Sequence, residues 1–433
     1  VVEVAFTTDP NVAVPAYEDI SADVVSASIG RGRQRELDQV QAATLTLKIN
    51  NSDRAYDPTY TFSPHYPYVL PMRKIRVSAI WSGVTYYLFT GYIERWPISW
   101  DAPKWMSVEL TAVDGFALLA QAEIEGTFPV ELTGSRISRV LSAAGWPDAT
   151  PLPGAYWTLG TSTLDTSTIL SFSVPASVVD TGNSVVQPVT LAAVSALEHI
   201  QEIVAAERGN AYIDGQGRFI FEDRHSRYNT TPLITFTDGS TSSTRVPYLN
   251  DGLAPEFDVD QIKNEIVVTS TGSSNAQRAT DGFSIEQFWR HTLSLDLPLA
   301  GDLTGFGPGG EPLYAPADDA ALDRAGFELS LRKDPRLEFT KLSVKPQALA
   351  ITWPAILARE LSDRVTVEAD PDSPDPITPE QIIRDCFIES IAYSIVRGEW
   401  SATYQLSPAD AYGQLFTLDT AMLGDAETAV LAY

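Results

Sequence analysis

Short alternating segments, each closed by turn-forming residues, set the limits on what this chain can fold into. In Thr44-Leu45-Thr46-Leu47-Lys48-Ile49 every second residue is apolar, so a strand puts Leu45, Leu47 and Ile49 on one face. Asn50-Asn51-Ser52-Asp53 then stops it with side chains that bond their own backbone. Ile75, Val77, Ala79 and Trp81 alternate likewise, Ser82-Gly83 is a turn, and Tyr86 to Ile93 returns as the second arm of a hairpin. Ala211-Tyr212-Ile213 and Arg218-Phe219-Ile220-Phe221, around Asp214-Gly215-Gln216-Gly217, read as another hairpin. Helical spacing is rarer. It predicts helices over Ser135 to Ala144, over Leu191 to Arg208 with Thr190 as N-cap and Gly209 as stop, and over Asp318 to Ala325. Isolated helices among many strands indicate a mainly β, α+β chain with no βαβ sheet.

The strand pattern occurs twice. Arg76-Val77-Ser78-Ala79, Gly91-Tyr92-Ile93-Glu94-Arg95-Trp96 and Trp105-Met106-Ser107-Val108-Glu109-Leu110 are echoed by Arg364-Val365-Thr366-Val367, Cys386-Phe387-Ile388-Glu389-Ser390-Ile391 and Trp400-Ser401-Ala402-Thr403-Tyr404-Gln405-Leu406. Ile93 and Ile388 stand 295 positions apart, as do Trp105 and Trp400. Equal spacing points to duplication and to equivalent places for the two tryptophans. A weaker echo pairs Trp157 to Leu164 with Phe416 to Leu423. Runs rich in Pro, Gly, Ser and Thr divide the chain into a first β unit, residues 1–120, a middle α+β region, 121–248, a second β unit, 249–410, and an extension, 411–433.

Charge narrows the function. The 433 residues carry 56 acidic and 30 basic side chains, a formal net charge of −26. Nucleic-acid binding rests on Lys and Arg neutralising phosphates, so specific DNA or RNA binding is not expected. Apolar residues make up 44%, enough for a packed core. Cys386 is the sole cysteine, which excludes an internal disulfide and suits assembly in a reducing cytoplasm. The longest apolar run, Ala348 to Leu357, is broken by Thr352, Trp353 and Pro354 and is too short to span a membrane.

With these residues in place a family resemblance emerges. Gly30-Arg31-Gly32-Arg33, Ala43 to Leu47 and Asn51-Ser52-Asp53-Arg54-Ala55-Tyr56-Asp57-Pro58 resemble the opening of minor tail proteins from long-tailed phages of Gram-positive hosts. Phe89 to Glu94 with Asp114-Gly115, Glu207 to Asp214 with Gly217 to Phe221, and Ile388 to Ile391 with Gly398-Glu399-Trp400 and Leu406-Ser407-Pro408 continue it in order. The family is similar in architecture to trimeric baseplate hubs. The resemblance therefore implies two related, tube-like β-barrel hub domains around the middle region, and a homotrimer presenting six similar units. It implies a structural virion protein at the tail tip, assembled in the host cytoplasm and surrounding the DNA channel. Its partners would be itself, distal tail and tail tube proteins, the tape measure protein, and tail fibre or receptor-binding proteins.

The residues that could carry chemistry do not assemble into a recognisable pattern. His65, His199, His225 and His291 have no metal-ligand spacing, and Glu198 and Glu202 flank His199 without a second histidine. Gly305 to Gly310 contains Pro308 and no lysine, so it is read as a loop and not as a phosphate cradle. Asp370, Asp372 and Asp375 lie among prolines without the glycine of a calcium loop. Glu94 and Glu389 occupy equivalent places in the repeat and are read as separate structural acids, not as a catalytic pair. No catalytic, cofactor or metal residue is expected, and the chain is read as a non-enzyme. Arg31, Arg33 and Arg35, the one dense basic cluster, are candidate subunit contacts. The alternatives are a carbohydrate-active or glycan-binding, depolymerase-like tail protein, and the hub of a related phage-derived particle.

Overall fold

The computed structural model describes residues 1–409 apart from 11, 13, 103–104, 148, 152–172, 229, 250, 307–311 and 371–381. The echo of Trp157 to Leu164 with Phe416 to Leu423, most of the glycine run after Phe306, Asp372 and Asp375, and the extension 411–433 lie outside the described residues.

The first unit holds β1 (Val2–Val4), β2 (Val24–Gly32), β3 (Gln41–Asn50), β4 (Lys74–Trp81), β5 (Val84–Arg95), β6 (Ile98–Ala102) and β7 (Trp105–Val113). All but β1 and β6 run in one antiparallel path, β2-β3-β7-β5-β4, with β1 beyond β4 and β6 also against β7. The alternation of Leu45, Leu47 and Ile49 buries all three completely, as expected of a strand with one face on a core. β5 and β6 are separated by Trp96 and Pro97, because Pro97 has no N–H to give the ladder.

The middle region carries α1 (Gly115–Gln121), α2 (Thr133–Ala143), α3 (Ala196–Glu207), β8 (Asn210–Ile213) and β9 (Phe219–Glu222). The third of these helices starts later than its periodicity suggests. Val189–Ser195 is a strand paired with Glu123–Phe128, so Thr190 is extended, and Ser195 caps the helix by accepting from Glu198 N–H. It ends at Arg208, held in the left-handed region at φ 61° just before Gly209.

After β10 (Thr235–Thr237), which lies in the middle region of the sequence but pairs with a strand of the second unit, come that unit's β11 (Leu253–Glu256), β12 (Glu265–Ser270), β13 (Gln277–Thr280), α4 (Gly282–Phe288), β14 (Thr292–Leu297), α5 (Asp318–Arg332), β15 (Glu338–Val344), α6 (Thr352–Leu357), β16 (Arg364–Ala369), β17 (Ile382–Val396) and β18 (Glu399–Pro408). Its antiparallel path is β11-β15-β18-β17-β16, which reproduces β2-β3-β7-β5-β4 strand for strand and in chain order. The two paths join where β17 pairs with β2 over Ser390↔Gly32 to Val396↔Ser26. The expected pair of separate β-barrels is therefore corrected. Among the described strands one continuous 15-stranded sheet runs through both units, and neither half closes on itself, because the edge that could close the first half is taken by the second.

Packing cuts across the boundary expected at 248. Residues of both β paths form one apolar core. The inserted β12, β14 and α5 pack with α1, α2, α3 and the β8–β9 hairpin in another, sharing Phe116, Ile137, Ile200, Phe219, Ile266 and Ala321. The insert looks like any other alternating segment in sequence, so burial alone reveals its allegiance. Among the described residues no helix is long and apolar enough to cross a membrane.

Register also corrects the tryptophan equivalence. Ile93 faces Ala112 and Ile388 faces Leu406, each followed by a bulge at the next residue, Glu94 or Glu389. Val108, Leu110 and Ala112 thus align with Ala402, Tyr404 and Leu406, and all six are buried. Trp400 then stands level with Met106, and Trp105 with Glu399. A bulge between Trp100 and Ala102 takes up the extra residue, and a one-residue slip moves a strand position to the other face.

Candidate functional site

Segments far apart in the sequence converge where β2 meets β17, and they carry charge into the interior. On β2 the buried positions are Ala27, Ile29 and Arg31, so an arginine continues an apolar face. The strand ends at Gly32 with φ +98°, where a Cβ would lie 2.1 Å from the Glu389 carbonyl oxygen. Only glycine allows β17 so near. Arg31 Nη1 lies 2.7 Å from Glu360. Arg33 donates through Nε to Glu389 Oε2 at 2.7 Å and through Nη2 to Asn210 Oδ1 of β8 at 2.7 Å. From the opposite side Arg227 Nη1 and Ser407 Oγ each donate to Glu389 Oε1 at 2.6 Å. Glu389 is 3% exposed. Burial would push its carboxyl up, but the Arg227 and Arg33 guanidiniums beside it hold it down at about 2.

A neighbouring knot fastens the loop that follows β2. Glu36 reaches Arg208 at 3.2 Å and Arg332 at 2.9 Å. Glu328 on α5 accepts from Arg208 at 2.8 Å, Arg324 at 2.9 Å and Arg332 at 3.1 Å. Burial opposes ionisation of Glu328, yet the three arginines, Arg208 foremost, hold it at about 2. The cavity between this loop and α3 measures about 160 Å³. Its guanidiniums are engaged by carboxylates of the same chain, so the arrangement works as an internal joint. It ties the first unit, the middle region, the insert and the second unit together.

Aromatic rings fasten the same two units elsewhere. Trp81 of β4 stacks on Trp353 of α6 at 5.4 Å between centroids, and Trp353 meets Trp400 edge-on at 5.3 Å.

Two of the three expected subunit contacts are thus turned inward. Arg31 and Arg33 bind acids of their own chain, because β2 lies inside the joined sheet and not at its rim. Arg35 is exposed, with its backbone N–H donating to Asp38 Oδ2 at 3.0 Å. Glu389, read from the sequence as a structural acid, is buried and ion-paired, and an arginine in step with Ala27 and Ile29 is a readable sign of a buried acid nearby. Glu94, its counterpart, is exposed. Both Glu389 oxygens are committed to arginines and a serine, which leaves no carboxylate free for hydrolysis there. His199 is buried with Nδ1 3.0 Å from Glu202 and Nε2 3.5 Å from Arg136 Nη1, so a guanidinium stands where a cation would sit. Among the described residues no group of three or more His, Cys, Asp or Glu could hold a metal ion.

No family model matches the chain, and no curated protein matches it. Solved structures do. The 43 kDa tail protein of prophage MuSo2 from Shewanella oneidensis is 13% identical, superposes with a TM-score of 0.53, and the match covers 95% of this chain and 99% of that one. A tail protein from Neisseria meningitidis MC58 is 12% identical with a TM-score of 0.55, covering 95% of this chain and 97% of that one. The chain has the fold of these tail proteins. The tail-protein fold extends over both β units, the middle region and the insert, so the joint described above lies within it.

Proposed function

We propose that the chain is a structural hub subunit of a phage tail tip, joining the tail tube to the tip and its receptor-binding proteins. The observation that carries this reading is the repeated five-strand path, fused into one sheet through β2 and β17. Two like units per chain let three chains present six similar faces, the count needed to mate a trimer with a sixfold tube. The likeness to two tail proteins, one of them from a prophage, over 95% of the chain supports it further. The hub acts by shape and by surrounding the channel through which DNA passes. Its partners are further copies of itself, distal tail and tube proteins, the tape measure protein, and fibre or receptor-binding proteins. The assignment to a long-tailed phage of a Gram-positive host rests on the sequence motifs. No step of chemistry is assigned to it, and it is placed in the virion at the tail tip, after assembly in the host cytoplasm.

The reading is tested by a cryo-EM map of purified particles together with deletion of the gene. Density for this chain at the tail tip, and tails that fail to assemble without it, are the expected results. Density elsewhere, or complete and infectious particles lacking the chain, would refute the proposal.

A further inference from the structure

The β2–β17 junction is filled once within the chain, and the chain carries both halves of a second that is unfilled among the described strands. β17 has two edges. One lies along β18; the other is taken by β16 over Ile382–Phe387 and by β2 over Ser390–Val396. In the first unit the same two-part edge belongs to β5 and β6. β4 covers β5 up to Tyr92, and β6 pairs with β7 alone among the described strands. Ile98 faces Val108 as Tyr393 faces Ala402, so β6 is the counterpart of the stretch of β17 that receives β2.

The strand that would fill that place also exists. β11 is the counterpart of β2, since each lies beyond the strand next to β7 or β18. Among the described strands β11 pairs with β15 alone. β11 and β6 do not pair with each other among the described strands, and β15, β18, β17, β2, β3 and β7 lie between them in the sheet. The bulge beside each edge tells the same story. Glu389 is 3% exposed and bonded across the filled junction to Arg33, whereas Glu94 at the unfilled one is exposed.

We infer that β6 of one chain receives β11 of a second copy as an antiparallel strand, repeating between chains the β17–β2 junction found within each. This names the surface at which copies meet, and it rests on the hub reading for the number of copies in the ring. The register follows from the equivalences. Ala27 pairs with Leu47 and Leu253 with Leu342, and both partners lie level in their units. Because Ala27 and Ser28 face Ile395 and Ser394, Leu253 faces Trp100 and Ala254 faces Ser99, and beyond Ala254 a bulge in the pairing of β11 with β15 shifts the register. Pro255 offers a carbonyl but no N–H, so this ladder is shorter than the seven pairs of β17 with β2. The occupant is a second copy of this chain because the chain itself supplies both complementary edges. Foreign strands, if they bind there, are an opposing outcome of the test.

The test is a full-length chain carrying Ser99→Cys and Ala254→Cys. Directly opposed strand residues lie about 4.5–5.5 Å apart at Cα, within reach of a disulfide. Cys386 is buried and stays out of the reaction. Under mild oxidation the double variant is expected to form covalent dimers and trimers, while each single variant stays uncross-linked. An equimolar mixture of the two single variants should give dimers alone. Oligomers seen by native mass without the cross-link would overturn the junction and leave the hub reading standing. A chain that neither associates nor cross-links at its highest soluble concentration, or a β6 edge occupied in the particle by another protein, overturns it as well. The hub reading falls separately, when the chain is missing from purified tails.

Discussion

Glu389→Ala offers the most direct check on the inter-unit joint. The substitution leaves Arg33 and Arg227 buried with no carboxylate between them, and Ser407 without its acceptor. Removing one member of a buried charge pair costs about 3–5 kcal/mol. The acid's own titration gives a figure of the same size. Its carboxyl falls from 4.5 to about 2 on folding, and each pKa unit is worth about 1.4 kcal/mol, so the stabilisation is about 3 kcal/mol. The folded value lies below the unfolded one. The contribution is therefore complete above pH 4.5 and disappears as pH falls towards about 2. Urea unfolding of both proteins at neutral pH, and again at several points down that window, measures the difference. The variant should be about 3 kcal/mol less stable at pH 7, and the gap should narrow steadily towards pH 2. Using the difference cancels Glu328, which titrates over the same range. A loss below about 1 kcal/mol, or a gap independent of pH, would show that the joint does not hold the units as argued.

Three other outcomes are expected. Trp353→Ala removes the ring between Trp81 and Trp400 and should cost about 2–4 kcal/mol, read from the urea midpoint; a loss within experimental error would mean that the units do not need this clasp. Gly32→Ala should cost more than the ordinary 1 kcal/mol or so of a surface change, because its φ of +98° and the Glu389 carbonyl both exclude a Cβ. Native mass measurement, alone and in the assembled particle, should give three copies, and a map of the assembled ring should show a channel-facing surface rich in Asp, Glu, Ser, Thr and Asn, since bound phosphates would arrest the DNA; a monomer in both settings, or a wall of unpaired Lys and Arg, would contradict the proposed trimeric channel.

Much of the β framework was legible because period-two patterning is written locally. Leu45, Leu47 and Ile49, or the arms around Ser82-Gly83, declare a strand face and a turn within ten residues. The duplication was legible for the same reason. Its register was not, since the bulges at Glu94, Glu389 and Trp100 insert residues that spacing cannot see, and they separate Trp105 from Trp400 by one position. The helix at 196–207 was misjudged at its start because Val189–Ser195 finds a ladder partner at Glu123–Phe128, and tertiary pairing outweighs propensity. The arginine cluster was visible as charge but not as an interior feature. Arg33 finds Glu389 across most of the chain, and no local pattern encodes such a partner.

That distance has a consequence for how the protein is made. Arg33 and Glu389 are 356 residues apart, and at 5–20 residues per second a ribosome needs about 20–70 s to travel between them. Throughout that interval β2 presents an open edge and the shared apolar core lacks the side chains of β17 and β18. The amino-terminal unit therefore cannot complete its fold during synthesis. It waits for the carboxy-terminal strands, a high-contact-order step exposed to wrong pairing and to chaperones. Chains cut short before residue 382 should accumulate as insoluble material instead of as a folded first half, so a ribosome that stalls late yields no soluble product.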